Sequence, residues 1–242
     1  MFSINLQVRY SEVGRNGNVE IHQILDYFQD CSTFHVEDIG YGLDAMIKVH
    51  IGWFLLGWNV KIIRYPHFGE YLKVSTVPYK LRGFFGYRRF YIEDQEGNVI
   101  VKADSMWVLM DIQKLVPVRI PKKMIEGFVI EEGIDKTVNV SRKLPTDGDF
   151  HETDVVEISR FYLDTNGHVN NSFYAMWAEG MLPEGTVLRQ IKIDYRVQAV
   201  LGDKIHISFY DNKEGMCKVR YENQKGELNS VVIMEYRKVE DK

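Results

Sequence analysis

The strongest constraint on how this chain folds is that its sequence is written twice. Asn16-Gly17-Asn18-Val19 returns 150 residues later as Asn166-Gly167-His168-Val169. Val60-Lys61-Ile62-Ile63, which runs up to Gly69-Glu70, returns as Ile191-Lys192-Ile193-Asp194 running up to Gly202-Asp203, with the two Gly-acid pairs 133 residues apart. The turn signal Gln95-Glu96-Gly97-Asn98 returns 129 residues later as Gln224-Lys225-Gly226-Glu227. Three matches in one order indicate an internal duplication. The shrinking offset makes the second copy shorter, mostly within a helix and its exit loop.

Periodicity says what each copy contains. Ile21, Ile24, Leu25 and Phe28 occupy the i, i+3, i+4, i+7 positions of a helix with one apolar face. Val169, Phe173, Met176 and Trp177 come close to the same pattern, with Ser172 in the i+3 slot. Strand-like alternation marks Val99, Val101, Ala103, Ser105, Trp107 and Leu109, then Ile191, Ile193, Tyr195 and Val197, then Ile205, Ile207 and Phe209, with a last strand over Val231 to Tyr236. Each half therefore reads as a short strand, one helix and several antiparallel strands. That is an α+β arrangement in which a curved antiparallel sheet wraps a helix, the hotdog fold, here as a tandem or double hotdog. The expected bounds are 1–112 for the first hotdog and 154–242 for the second. Residues 113–153 lack clear periodicity and carry Pro117, Pro121, Pro145 and Gly148, as a linker would.

Composition removes several function classes. A 13% aromatic content is too rich for a chain that never packs. The longest apolar run, Ile51 to Trp58, falls well short of the ~18 residues of a membrane helix. The opening MFSINLQVRY lacks the basic patch and apolar stretch of a signal peptide. A cytoplasmic globular protein without a membrane partner is expected. The net charge of −4 argues against bulk nucleic-acid binding. It leaves two basic clusters as candidate contacts for an acidic partner: Lys80, Arg82, Arg88 and Arg89, then Arg119, Lys122 and Lys123. Cys31 and Cys217 form no CxxC, and the histidines lack ligand spacing, so no disulfide scaffold, metal or cofactor is expected. GYGLDA at 40–45 has dinucleotide-loop spacing but follows a helix rather than a strand. Neither a GxSxG elbow nor a P-loop is present.

The sharpest polar cluster is YLDTNGHVNN, residues 162–171. On an extended segment Asp164, Asn166 and His168 would share one side. The helix that follows would bring its unpaired N–H groups alongside. Acid, amide, imidazole and helix N-terminus together suit a site that orients water and holds an oxyanion. The same residue types also make an ordinary capping loop. The first copy bears on the choice: it has Gly14 and Asn18 where the second has Asp164 and His168. A cap needed for folding is needed twice, whereas chemistry is needed once. The catalytic group is thus expected in the second half, and binding in the first.

These residues resemble the acyl-acyl carrier protein thioesterases of plants and bacteria, over nearly the whole chain. The resemblance rests on RYPHFGE at 64–70, Arg88-Arg89, EGNVIVKADSMWVLMD at 96–111, LDTNGHVNN at 163–171 and Asp194-Tyr195-Arg196. It implies hydrolysis of fatty acyl thioesters on acyl carrier protein, with Asp164, Asn166 and His168 in the active site and the first hotdog holding the acyl chain. The family places an acid two positions after Tyr-Arg, followed in plant members by a cysteine; here those positions are Gln198 and Ala199. Alanine is no nucleophile, and an amide takes up no proton near neutral pH. The expected mechanism is direct attack by water. His168 or Asp164 is the base, Asn166 the orienting amide, N–H groups from Val169 onward the carbonyl donors, and Gln198 a holder of the water. Competing readings are hydrolysis of coenzyme A thioesters and a non-catalytic acyl-binding module, the latter favoured by Gln198. A double hotdog already contains the pair that single hotdogs form by dimerising, which leaves a homodimer open.

Overall fold

A computed structural model describes residues 1–131 and 137–239. Residues 132–136 of the expected linker and 240–242 of the expected second hotdog lie outside the described residues. The chain divides into two compact units. Unit 1 comprises Met1–Leu56 and Val60–Val140, and unit 2 comprises Gly57–Asn59 and Ser141–Lys242.

Unit 1 begins with β1 (Phe2–Gln7), then α1 (Ile21–Asp38) and α2 (Leu43–Lys48). The long strands β2 (Ile51–Ile62), β3 (Tyr71–Arg82), β4 (Phe85–Glu93) and β5 (Val99–Asp111) follow, then β6 (Val116–Pro117) and α3 (Lys122–Gly127). The sheet order is β1-β3-β4-β5-β2. Unit 2 has β7 (His151–Glu157), α4 (Ser172–Glu179), β8 (Thr186–Tyr195), β9 (Lys204–Asp211), β10 (Met216–Asn223) and β11 (Leu228–Lys238), ordered β7-β9-β10-β11-β8. Counted within each unit, both sheets run first, third, fourth, fifth, second. The duplication read from three short motifs is a duplication of topology, and each unit is a hotdog.

In unit 1 the predicted helical face is the buried one: Ile21, Ile24, Leu25 and Phe28 are fully inaccessible. The Phe28 ring lies 5.1 Å from Phe90 of β4, and the Cys31 thiol donates to the Val74 carbonyl of β3 at 3.4 Å. The second copy is shortened where the offsets implied: α1 has 18 residues and α4 has 8. The face that α4 buries differs from expectation. Tyr174, Ala175 and Ala178 are buried, whereas Phe173, Met176 and Trp177 stay half-buried and Val169 precedes the helix. Two alanines let so short a helix sit close to its sheet, which pushes the larger side chains to its flank.

Two further expectations are corrected. Strand β5 is buried on both faces rather than alternately, and Asp104 and Ser105 are both fully inaccessible. Asp104 accepts the N–H of Val140 at 2.9 Å. Nor are residues 113–153 a bare linker. Met124 and Phe128 pack with Met46, Leu109 and Ile120 in an apolar cluster of unit 1. The N–H of Leu144 donates to Asp194 at 3.2 Å, its carbonyl accepts Arg196 at 3.0 Å, and β7 starts at His151 rather than at 154. Isolated apolar residues such as Met124 and Leu144 show no period in the sequence, because short irregular segments have none.

Candidate active site

The loop of residues 162–171 is a turn, not an extended segment. Leu163 and Val169 pair as an isolated bridge. Inside it, the N–H of Asp164 donates to the carbonyl of His168 at 2.7 Å, and the N–H of Gly167 donates to that of Asp164 at 3.1 Å. Gly167 has φ of +77°, where a side chain would be strained. The Asp164 carboxylate tightens the turn: its Oδ1 accepts the N–H of Asn166 at 2.8 Å and of His168 at 3.1 Å. The expected alternation of Asp164, Asn166 and His168 on one side therefore does not hold. The turn still gathers them, with Asp164 and His168 half-buried and Asn166 exposed.

A second segment runs antiparallel to the loop. His168 bridges Val200, and the N–H of Val169 donates to the Ala199 carbonyl at 2.9 Å. Gln198 is exposed, and this register carries it past His168, toward Asn170. The backbone donors expected from Val169 onward are mostly committed. Val169 donates to Ala199, Asn170 to the Tyr162 carbonyl at 2.8 Å, Ser172 to Asn170 Oδ1 at 3.1 Å, and Phe173 to the Asn170 carbonyl at 3.1 Å. The N–H of Asn171 has no acceptor among the described residues. The Asn170 side chain thus accepts from both the N–H and the hydroxyl of Ser172, the first residue of α4.

Aromatic packing fixes the loop from below. The Tyr162 ring lies 5.0 Å from Phe173 and 5.5 Å from Trp177, and Tyr174 lies 5.1 Å from Tyr221. The Tyr195 hydroxyl donates to the Asn171 carbonyl and that of Tyr221 to the Tyr174 carbonyl, each at 2.8 Å. Tyr195 thereby holds the start of α4. Its neighbours in the Asp194-Tyr195-Arg196 motif pair with each other at 2.8 Å and clamp Leu144.

Unit 1 repeats this turn bond for bond. The N–H of Gly14 donates to Asn18 O at 3.0 Å, that of Gly17 to Gly14 O at 2.9 Å, and that of Val19 to Pro66 O at 2.9 Å; Val13 bridges Val19, and Asn18 bridges His67. Here Asn16 Oδ1 accepts the N–H of Asn18 at 3.0 Å in place of an acid. Gly14 itself carries no acid, but the Glu20 carboxylate lies beside it, where an added Cβ would meet its Oε1 at 3.1 Å, and an imidazole is present too. His67 comes from the opposing segment and lies over Gly17, where an added Cβ would meet its Nε2 at 2.6 Å. His67 reaches the turn from the opposing segment, so the loop's own sequence carries no sign of it.

The basic clusters divide on burial. Arg88 and Arg89 are buried, so they are not a docking surface; Lys80, Arg82, Arg119, Lys122 and Lys123 are exposed. Arg89 stacks on Tyr79 at 4.6 Å. Cys31 and Cys217 are both fully buried, and burial pushes each thiol up to about 12.

Two hotdogs in one chain, with an acid–imidazole turn in the second, place the molecule among the double-hotdog proteins. Models of the acyl-ACP thioesterase N-terminal domain and C-terminal domain match residues 1–128 and 148–238. The chain belongs to the acyl-ACP thioesterase family. It is 27% identical over 210 residues to oleoyl-acyl carrier protein thioesterase 2, chloroplastic, of Arabidopsis thaliana, an alignment covering 78% of this chain and 57% of that protein. This chain thus spans little more than half the length of that curated relative. Its fold is similar to the crystal structure of an acyl-ACP thioesterase from Bacteroides thetaiotaomicron, at a TM-score of 0.85 and 19% identity over 97% of each chain. It is also similar to the 12:0-ACP thioesterase from Umbellularia californica, at a TM-score of 0.82 and 20% identity over 98% of this chain and 97% of that one.

Proposed function

We propose that this chain hydrolyses fatty acyl thioesters carried on acyl carrier protein, releasing the free fatty acid and the carrier thiol. One observation carries the reading. The same turn is built in both units, and only in unit 2 does it carry Asp164 and His168. Gly14 and Asn18 support the same backbone bonds, so the turn does not need the His168 imidazole, while Asp164 both tightens the turn through Oδ1 and brings a negative charge to it.

In the proposed reaction a water molecule attacks the thioester carbonyl while the imidazole of His168 takes its proton. Asp164, anchored through Oδ1, orients the turn that presents that imidazole. The tetrahedral oxyanion is held by the Asn166 amide and the N–H of Asn171. Collapse breaks the C–S bond, and the leaving thiolate receives the proton from the imidazolium. No enzyme-bound acyl group forms. Gln198 lies along the antiparallel segment, where its amide reaches water without acting as a base.

The test is release of thiol by the purified chain from a panel of acyl chains on acyl carrier protein and on coenzyme A. Faster turnover of the carrier-protein esters supports the reading. Equal or faster turnover of the coenzyme A esters transfers the activity to that substrate class, and release no faster than buffer from either carrier leaves a non-catalytic acyl-binding module.

A further inference from the structure

In an Asn-Gly pair the side-chain amide is open to attack by the backbone nitrogen that follows, because glycine puts no Cβ in the way. The sequence has two such pairs, Asn16-Gly17 and Asn166-Gly167, and the duplication sets both in the same turn. Their backbones agree closely. Gly17 has φ of +74° and Gly167 of +77°. Each donates its N–H to the residue three before it, to Gly14 O at 2.9 Å and to Asp164 O at 3.1 Å. Both asparagines are exposed to water. Whatever the backbone does to the reactivity of one pair, it does to the other.

The turns differ in what pins the asparagine. In unit 1, Asn16 Oδ1 accepts the N–H of Asn18 at 3.0 Å. That bond holds the amide along the chain, and it must break before Cγ can turn onto the Gly17 nitrogen. In unit 2 the equivalent N–H, that of His168, goes to Asp164 Oδ1 at 3.1 Å. The same oxygen accepts the N–H of Asn166 itself at 2.8 Å. Asp164 therefore fills the role that Asn16 plays in unit 1, and the Asn166 side chain is released from it. An exposed side chain without that bond moves between its staggered rotamers.

We propose that Asn166 is a site of spontaneous deamidation, and that the change shuts down the reaction proposed above. The Gly167 nitrogen attacks Asn166 Cγ and gives up its proton. The bond from Cγ to the side-chain nitrogen breaks, and ammonia leaves with that proton. Water then opens the cyclic imide at one of its two carbonyls, leaving aspartate or its β-linked isomer. The step is a hydrolysis and needs no oxidant. Its product carries a carboxylate where the proposed reaction has a donor for the oxyanion, on the turn that already holds the Asp164 charge. A negative charge there opposes the transition state that the amide would favour. The modification follows from the turn alone; its effect on turnover rests on the hydrolysis proposed above.

Peptide mass spectrometry of the folded full chain, incubated in mildly alkaline buffer, reads conversion at both asparagines. The same chain in concentrated guanidinium gives the rate of each without the fold. Relative to its own unfolded rate, Asn166 is expected to convert about fivefold faster than Asn16, the weight of one net hydrogen bond. Equal relative rates, a faster Asn16, or no conversion at Asn166 in the folded chain overturns the proposal. Asp164→Gly copies unit 1 and frees the His168 N–H for the Asn166 side chain, so it is expected to slow Asn166 to the relative rate of Asn16. An unchanged rate at Asn166 in folded Asp164→Gly also overturns the proposal. If that variant does not fold, the wild-type comparison decides alone. Asn166→Asp is expected to lower kcat by about a hundredfold or more. Thiol release by aged wild type should fall in step with conversion at Asn166. Full turnover in Asn166→Asp would overturn the shutdown and keep the modification. A fresh chain that releases no thiol, yet converts faster at Asn166, would remove the hydrolysis reading and keep the modification.

Discussion

Asp164 and His168 sit on one turn but differ in what their loss would disturb. Asp164 Oδ1 accepts two backbone N–H groups, and an asparagine oxygen can accept the same two. Asp164→Asn is therefore expected to melt close to wild type while kcat falls by roughly 10²–10⁴, because the turn that carries the His168 imidazolium of the proposed reaction loses its negative charge. His168→Ala is expected to lower kcat over the same roughly 10²–10⁴ range, because the backbone bonds of residue 168 remain. Thermal melts beside thiol-release rates check both, and full activity in His168→Ala would remove the site assignment. The cysteines give the complementary case. Each thiol is inaccessible and pushed up to about 12, far from the thiolate a nucleophile needs. Cys31→Ser with Cys217→Ser is expected to retain most of its activity if it folds. An acyl-enzyme seen by mass spectrometry on either cysteine of the wild type would refute direct attack by water.

At the scale of elements, one buried carboxyl tests how the segment around Val140 is held. Asp104 is fully inaccessible, accepts the N–H of Val140 and the Tyr79 hydroxyl, and is raised to about 6 by burial. An unfolded aspartate titrates near ~3.9. Between about pH 6 and pH 4 the folded chain holds the extra proton, so this group adds stability as pH falls through that window. From pH 7 to pH 5 the wild type is expected to gain about 1 kcal/mol relative to Asp104→Asn, read from urea midpoints at each pH. An unchanged difference between the two proteins would mean that Asp104 is not raised.

The same scale shows which elements were legible in the sequence. Helix α1 was, because eighteen residues give the 3.6 period several turns in which to repeat. The recurrence of one turn in both halves was, because its motif recurs at Gly97 and Gly226, each in the left-handed region. Helix α4 was legible in place but not in facing, since eight residues offer two alternative apolar stripes and the alanine stripe won. Helices α2 and α3 were not, each being six residues long and fixed by tertiary packing rather than by period. In the candidate site, the geometry of Asp164, Asn166 and His168 was not readable. Strand alternation was assumed where Gly167 and the Asp164 carboxylate make a turn. His67 was hidden because it reaches its loop from another segment.

At the scale of the whole molecule, the proposed reaction raises the question of which surface would meet an acidic carrier. The arginine pair that looked most promising in the sequence faces inward, since β4 is buried on both faces at Arg88 and Arg89. What remains outside on unit 1 is drawn together by the fold: the N–H of Ile120 donates to the Gly83 carbonyl at 2.9 Å, which sets Arg82 beside Arg119, with Lys122 and Lys123 one turn further on α3. Lys122 is partly balanced by Glu126 at 3.6 Å, so Arg82, Arg119 and Lys123 are the better test. Reversing these three to glutamate is expected to raise KM for acyl carrier protein esters by about threefold or more, with kcat and turnover of coenzyme A esters little changed, because exposed charges act mainly on encounter. The same esters should lose turnover as salt rises, since the attraction is screened over about 8–10 Å near physiological ionic strength. Arg88→Glu with Arg89→Glu should behave differently, placing two carboxylates inside the sheet and lowering the melting temperature before any kinetic effect is seen. If the buried pair alone alters KM in a protein that melts normally, or if the exposed triple variant matches wild type at low salt, this face of unit 1 is not where the carrier docks.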